Sequence, residues 1–295
     1  MAREIRNRAA SIKQQLSNLA RREGRVFEVV MIRYALERLL FRLSVSDKAD
    51  RFILKGGMLV TLWLEGDNRE TRDVDFLGYG QADGHTLKSI FAEVMAVELD
   101  DGLVFDIDGL HAEVIRGDME YNGVRLRTVA LLERTRIPVT IDIGFGDALT
   151  GAELTAYPSL LGMETPRIRS YPPAVVIAEK FQAMVQLGVI NGRMKDYFDL
   201  WAIPQVVSIP DRDLDAAISA TFERRQTPIP SARPPGLSSI FFEDSGKQAQ
   251  WRNYARSIQV NNLALAEVTD AIWLLVGPSC TRLIAEPNAD RNPDR

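Results

Sequence analysis

The stretch FILKGGMLVTLWLEGDNRETRDVDFLGYG, residues 52–80, contains two short apolar runs that are interrupted by charged or turn-forming residues. The first run predicts a buried strand, and the Lys-Gly-Gly sequence at 55–57 predicts a turn into a helix. The second run predicts another strand, which carries Asp73 and Asp75. Charged residues inside a predicted buried strand require a physical explanation.

The two aspartates are one residue apart, so a strand projects both from one face and places Val74 and Phe76 on the other. Two close carboxylates repel each other, and burying them without partners costs several kcal/mol. A bound divalent cation would remove both costs. The competing interpretation is an exposed strand end at which both side chains are solvated.

A third carboxylate lies in PVTIDIGFGD, residues 138–147, where apolar residues alternate with Thr140 and Asp142. Metal sites for phosphoryl-type transfer commonly use several carboxylates, so Asp142 is predicted to complete a metal site with Asp73 and Asp75. Weaker candidates in predicted turns or loops are Asp106, Asp108 and Asp147.

The composition limits the kind of metal and the compartment. Cys280 is the only cysteine, and His85 and His111 are the only histidines, which excludes a disulfide framework and a cysteine- or histidine-rich metal centre. A metal held by carboxylates would be a hard ion such as Mg²⁺. The single cysteine is typical of a reducing cytosol. We find no secretory signal and no run of about 18 apolar residues, so we expect a cytoplasmic protein without a membrane segment.

The chain reads as an α/β (α+β) protein in two parts. Helices predicted at 3–22 and 26–43 precede alternating strand and helix patterns, and together these predict a core over residues 1–155 with a mixed sheet flanked by helices. A proline-containing connector follows. Residues 172–282 form a predicted helical domain, and the polar tail 283–295 is predicted to be disordered.

The turn at Lys55, Gly56 and Gly57 lies between a predicted strand and a predicted helix. Backbone N–H groups at a helix start favour an anion, and glycines let a phosphate approach the backbone closely. A Gly-Gly turn followed by an Asp-Val-Asp strand therefore favours binding of a phosphorylated ligand beside the metal.

These motifs carry a family resemblance. LKGGMLVTLWLEGDNRETRDVDFL, TIDIGFGD and AEKFQAMVQLGVINGRMKDYFDL resemble the AbiEii/AbiGii toxin family of nucleotidyltransferases, which includes the MenT toxins and belongs to the polymerase-beta-like superfamily. The resemblance spans roughly residues 27–205. It implies transfer of a nucleoside monophosphate (NMP) from a nucleoside triphosphate (NTP), with two Mg²⁺ ions, to the 3′ end of tRNA. It also implies a cognate antitoxin protein.

The resemblance also implies roles for residues beyond the aspartates. Lys180 would contact the NTP phosphates, and Lys195 and Asp196 would complete the cleft. Ordinary ion pairing, such as Lys195 with Asp199, is the competing interpretation. Arg72 would neutralise triphosphate charge or lie exposed at the strand entry.

Two other functions remain open at this level. The acceptor could be a small molecule such as an aminoglycoside, or a protein, which the acidic isoelectric point near 5.5 mildly favours. A non-catalytic nucleotide-binding module is the other alternative.

Basic residues are unevenly distributed along the chain. Residues 1–25 carry a net charge of about +5, whereas the whole chain carries −4. This segment could contact a polyanion or simply form an exposed amphipathic helix. Arg125 and Arg127 share one face of a predicted strand, where they could bind a nucleic-acid backbone or be solvated.

Overall fold

The computed structural model describes residues 2–64, 71–80, 83–116, 122–147, 149, 151–260 and 262–285. Two compact units divide the chain. Unit 1 comprises Met1–Leu62, Arg69–Asp147 and Ala152–Tyr171. Unit 2 comprises Trp63–Asn68, Ala148–Gly151 and Pro172–Arg295.

Unit 1 combines helices with a sheet. Its helices are α1 (Ala2–Glu23), α2 (Phe27–Ser44), α3 (Gly56–Trp63, whose last residue is assigned to unit 2) and α4 (Gly84–Met95). Its strands are β1 (Phe52–Lys55), β2 (Val74–Gly78), β3 (Leu103–Phe105), β4 (His111–Arg116), β5 (Asn122–Leu132), β6 (Thr135–Phe145), β7 (Glu153–Ala156) and β8 (Arg167–Ser170).

Within the described residues these strands form one mixed sheet in the order β3-β5-β6-β2-β1-β8-β7, with β4 also paired to β5. The β2–β6 and β1–β8 pairs are parallel, and the remaining pairs are antiparallel. This arrangement and the flanking helices confirm the predicted α/β class with a mixed sheet. At its centre β2 lies between β1 and β6, which brings the aspartate-bearing strands side by side.

Two local predictions differ from the structure. The Asp108-Gly109 sequence is typical of a tight hairpin turn, but β3 and β4 both pair with β5, at Leu103↔Leu132 and Ala112↔Leu126. They therefore lie end to end along one edge of β5. The expected connector between the two parts of the chain contains β8, which pairs in parallel with β1.

Helix α2 packs against the sheet of unit 1 and is buried along most of its length. Phe52, Phe76 and Phe91 form an aromatic group in which the Phe52 ring lies 5.8 Å from Phe76 and 5.1 Å from Phe91. Burial of such rings contributes hydrophobic free energy and fixes the side-chain face of each strand. Consequently Asp75, between buried Val74 and Phe76, projects from the opposite face.

Unit 2 is helical in its described part. Its helices are α5 (Pro173–Leu187), α6 (Met194–Val206), α7 (Asp211–Arg224), α8 (Ser239–Phe242), α9 (Ser245–Ser257) and α10 (Leu265–Ala285). Helix α10 continues three residues into the tail that was predicted to be disordered, and residues 286–295 lie outside the described residues.

Two helical stretches, 173–190 and 265–285, are long and apolar enough to qualify as membrane spans by length and composition alone. About two fifths of each stretch is buried inside the protein. Burial of these apolar faces in unit 2 accounts for their composition, as in core helices of soluble proteins.

Candidate active site

Three carboxylates converge at the centre of the sheet in unit 1. Asp73 directly precedes β2, Asp75 lies on β2 and Asp142 lies on β6. One oxygen from each lies within 4.8 Å of the others, and all three side chains are partly buried. We call Asp73, Asp75 and Asp142 the aspartate cluster. It contains the three residues that the sequence assigned to a metal.

Strand register explains this convergence. Asp75 and Asp142 are paired in the parallel β2–β6 ladder, so their side chains project from the same face. Val74, Ile141 and Ile143 are buried on the other face. The apolar alternation that was visible in the sequence therefore fixes the orientation of the carboxylates.

Asp75 is the carboxylate most affected by its surroundings. Burial first, and then the nearby negative charges of Asp73 and Asp142, raise its pKa to about 6, although the Gly57 N–H and Lys55 act in the opposite direction. A raised pKa means that the ionised cluster is unfavourable in the folded protein. A bound divalent cation would offset that cost. Hard cations such as Mg²⁺ take oxygen ligands, so the three carboxylates fit such an ion.

Gly56 and Gly57 form the start of α3 directly against this cluster. The Gly57 N–H donates to Asp75 Oδ2 at 3.3 Å. Gly56 has a φ of +68°, and a Cβ placed there would lie 2.0 Å from Asp75 Oδ2. Only glycine allows the helix start to lie this close to the carboxylate. In this structure the Gly-Gly turn contacts an aspartate, whereas the sequence assigned it to a phosphate.

Arg125 on β5 binds Asp142 through both of its oxygens. Its Nε donates to Oδ1 at 2.7 Å, and its Nη2 donates to Oδ2 at 2.6 Å. The hydrogen bond to Asp142 is the main cause of a raised pKa at Arg125. The neighbouring Arg127 donates to both oxygens of Glu113 at 2.8 Å. Both arginines that were considered for nucleic-acid binding thus have carboxylate partners.

Lys55 ends β1 beside the cluster. Its Nζ lies 2.6 Å from Asp147 Oδ2 and 5.5 Å from the centre of the Tyr171 ring. Asp147, a weaker metal candidate in the sequence, is therefore the partner of Lys55. Arg72 Nη1 lies 3.8 Å from Glu28 Oε1, and both side chains are more than half exposed, so that ion pair is weak.

A second charged group occupies unit 2. The Lys180 ammonium on α5 bonds to Asp196 and lies 2.9 Å from Asp199 Oδ2, both on α6. We call Lys180, Asp196 and Asp199 the lysine cluster. Arg193 Nε also lies 2.7 Å from Asp196. Lys195, whose pairing with Asp199 was the competing interpretation, is partly exposed on α6, and Asp199 is fully buried and also contacts Lys180.

Sequence reasoning missed several site contacts, among them Arg125–Asp142 and Lys180–Asp199. The first depends on β5 pairing with β6 in a particular register, for which the β5–β6 turn at 133–134 was an available signal. The second depends on the packing of α5 against α6. The apolar spacing of α6 places Asp199 among residues that are buried, and this could have indicated a buried ion pair.

Comparisons with known proteins bear on this geometry. The sequence profile of the nucleotidyl transferase AbiEii toxin family of type IV toxin–antitoxin systems matches residues 38–272. No curated protein matches the chain significantly.

Two solved structures are similar in fold. A candidate nucleotidyltransferase from H. pylori has 12% identity and a TM-score of 0.49, with 85% of this chain and 94% of that chain covered. JHP933 from Helicobacter pylori has 13% identity and a TM-score of 0.44, with 85% and 91% covered. The match of residues 38–272 includes both clusters, and on that match the chain belongs to the AbiEii nucleotidyltransferase toxin family.

Proposed function

We propose that this protein is a metal-dependent toxin that transfers NMP from an NTP to an acceptor hydroxyl, the 3′ end of a tRNA. In this reaction the acceptor oxygen forms a bond to the α-phosphorus, the bond to pyrophosphate breaks, and the hydroxyl loses its proton. The observation that carries the proposal is the convergence of Asp73, Asp75 and Asp142 on one face of the sheet. Family membership supports the reaction class.

The aspartate cluster is assigned to two Mg²⁺ ions. Three carboxylates offer hard oxygen ligands close together, and the raised pKa of Asp75 reflects negative charge that a cation would balance. Bound Mg²⁺ would lower the pKa of the attacking hydroxyl and neutralise charge on the leaving pyrophosphate.

The remaining residues are assigned to the nucleotide. Gly56 and Gly57, which lie against Asp75, are assigned to the close approach of a phosphate, and Lys55 and Arg72 are assigned to the triphosphate charge. The proposal also keeps the family-implied roles of Lys180, Lys195 and Asp196. For Lys180 to bind a phosphate, it must give up at least part of its contact with two carboxylates, so its role requires a separate test.

The face that carries the cluster also carries Arg127, because Arg125 and Arg127 alternate with buried residues on β5. An RNA acceptor that reaches the cluster would meet this basic side chain. Such phosphate contacts orient an RNA without reading its sequence. The toxin–antitoxin role further implies an antitoxin protein and a cytoplasmic location.

A transfer assay tests this function. The purified protein is incubated with each α-labelled NTP and Mg²⁺, first with total RNA and then with aminoglycosides, and RNA 3′ ends are sequenced. We expect label at tRNA 3′ ends. Asp73→Asn, Asp75→Asn and Asp142→Asn should each lower transfer by at least about a hundredfold, since even outer partners of metal ligands contribute 10- to 100-fold.

Asp108→Asn is the matched control, because it neutralises an exposed aspartate near β4. Label on a small molecule instead of RNA would identify the alternative acceptor. Equal transfer by wild type and the three cluster variants would overturn the catalytic assignment. In cells, induced expression should arrest bacterial growth and Asp75→Asn should not. Equal arrest would mean that toxicity does not depend on catalysis.

A further inference from the structure

Four neighbouring strands align one charged side chain each across the sheet. Arg125 on β5 pairs with Asp142 on β6, Asp142 pairs with Asp75 on β2, and Asp75 pairs with Lys55 on β1. Directly paired residues in a ladder project from the same face. Two carboxylates of the aspartate cluster are therefore flanked by a cation at each end. We call these four residues the charged row.

The two cations of the charged row have different partners. Lys55 bonds to Asp147, outside the row. Arg125 bonds to a cluster member itself, and both oxygens of Asp142 accept from it. Bidentate arginine–carboxylate contacts are among the strongest hydrogen bonds in proteins. The Asp142 side chain is 17% exposed and that of Arg125 is 33% exposed, so solvent screens this pair incompletely.

This contact conflicts with cation binding at Asp142. A cation held by Asp142 would bind an oxygen that already accepts from Arg125 through one of its lone pairs, so the ion and the guanidinium would share that oxygen. The guanidinium would also repel a divalent ion at short range. Cation and guanidinium therefore compete for the same carboxylate.

A second carboxylate lies on the other side of Arg125. Glu113 on β4 is directly paired with Arg125 in the β4–β5 ladder. In this structure the Glu113 carboxylate accepts a hydrogen bond from Arg127, and the Glu113 side chain is 47% exposed. A guanidinium that leaves Asp142 could thus turn toward Glu113 without losing all negative partners.

We propose that Arg125 is a positioning residue that holds Asp142 in the aspartate cluster and yields it to a divalent cation, turning toward Glu113 as the cation binds. This rests on the proposed function, since it assumes that the aspartate cluster takes up a metal. Arg125 would then keep Asp142 in the cluster and offset part of the cluster's negative charge until the ion arrives, at the expense of weaker ion binding.

Cation affinity tests the competition directly. Binding of Mn²⁺ to the full chain is measured by titration calorimetry for wild type, Arg125→Gln and Arg125→Lys, with the fold of each checked by circular dichroism. Removing the competing charge should tighten Mn²⁺ binding in Arg125→Gln by at least about tenfold. Arg125→Lys, which keeps the charge and loses the bidentate contact, should lie between the two.

Two controls define the background. Arg136→Gln removes an exposed arginine charge from β6 and leaves the contacts of Asp142, Arg125 and Glu113 in place, so its Mn²⁺ affinity should stay within about twofold of wild type. Asp142→Asn should weaken binding. If wild type binds Mn²⁺ and Arg125→Gln binds it equally or more weakly, the inference about Arg125 is overturned while the metal assignment stands. Absence of Mn²⁺ binding by wild type would overturn the metal assignment as well.

A spectroscopic readout follows the Arg125 contact in the wild-type protein itself. The Nε–H signal of Arg125 in a proton–nitrogen correlation spectrum is assigned by its absence in Arg125→Lys. Addition of Mg²⁺ should shift this signal in wild type and leave it in place in Asp142→Asn. A signal that does not move while Mg²⁺ binds would show that Arg125 keeps its contact, which contradicts the exchange.

Discussion

The aspartate cluster of unit 1 and the lysine cluster of unit 2 are both small groups of charges that the sequence assigned to one active site. They differ in charge balance. The guanidinium of Arg125 contacts one member of three carboxylates in the aspartate cluster. In the lysine cluster, Lys180 contacts both Asp196 and Asp199, and Arg193 contacts Asp196. The first group retains surplus negative charge, whereas the contacts of the second are neutral in total.

This difference separates two uses of buried charge. A neutral, hydrogen-bonded group stabilises the fold only as a set, because removal of one member leaves the others buried without compensation. A group with surplus charge is unfavourable by itself and favours a ligand of opposite sign. Charge balance therefore distinguishes the two clusters better than the residue types do.

The largest effect is expected at Lys180. Lys180→Met should lower the free energy of unfolding by about 3 to 5 kcal/mol, because it leaves Asp196 and the fully buried Asp199 without their shared cation. Urea unfolding measures the loss. Lys48→Met is the control, since Lys48 pairs with exposed Asp47 and its replacement should cost far less stability. If Lys180→Met lowers the free energy of unfolding as little as Lys48→Met does, the distinction between the two clusters fails.

The next effect concerns the close contact of α3 with the aspartate cluster. Gly56→Ala forces a left-handed conformation on alanine, for about 1 to 2 kcal/mol, and also pushes the Asp75 carboxylate out of place. Transfer activity should fall at least about tenfold, since ligand position controls the reaction. Gly24→Ala is the control for the cost of the left-handed backbone alone, because Gly24 has a φ of +64° and no atom lies within 4 Å of the new Cβ. Full activity in Gly56→Ala would show that Asp75 need not occupy its observed position.

A smaller effect is expected in the pH dependence of stability, which tests whether the aspartate cluster carries unfavourable charge. The pKa of Asp75 is raised from 3.8 to about 6, so the folded protein holds this proton more tightly than the unfolded chain does. Stability should therefore fall as pH rises through that interval, with the cost absent below it and complete above it. In EDTA at pH 7.5, Asp75→Asn should be more stable than wild type by about 1 to 3 kcal/mol.

The pH profile decides this prediction. The advantage of Asp75→Asn should disappear when unfolding is repeated below pH 4, where the carboxyl is protonated in both states. Asp108→Asn, an exposed aspartate, should show no such gain. A destabilised Asp75→Asn at neutral pH would mean that the cluster does not carry unfavourable charge.

The smallest effect is expected where the charges are exposed. Arg127 and Glu113 are each more than two fifths exposed, so Arg127→Gln should change stability by no more than about 0.5 kcal/mol. If the RNA acceptor meets this face, the same change should lower the salt dependence of RNA binding by about one unit of slope. An unchanged slope would remove Arg127 from the acceptor surface.

Local patterns in the sequence predicted much of unit 1, and long-range pairing accounts for what they missed. Alternation around Asp75 and Asp142 indicated that both face away from the core, and the burial of their neighbours confirms this. The same alternation showed that Arg125 shares a face with Arg127. It did not show that Arg125 lies opposite Asp142, because register is set by strands that meet only in the folded sheet.

The same limit applies to the other missed contacts. Lys55 and Asp147 are 92 residues apart in the chain, so their contact leaves no local signal. Strand β8 is flanked by prolines at 166 and 172, which favoured a connector in the sequence. In the structure β8 pairs with β1 on one side and with β7 on the other. Tertiary pairing therefore overrides a weak local preference for irregular structure.

The parallel pairing of β2 with β6 has a consequence for when the proposed activity can begin. Three strands, β3, β4 and β5, separate β2 from β6 along the chain, so Asp75 and Asp142 meet only after a slow, long-range step of folding. A nascent or partly folded chain cannot assemble the carboxylates that the proposed transfer requires. The proposed activity can therefore begin only when this part of the sheet is complete.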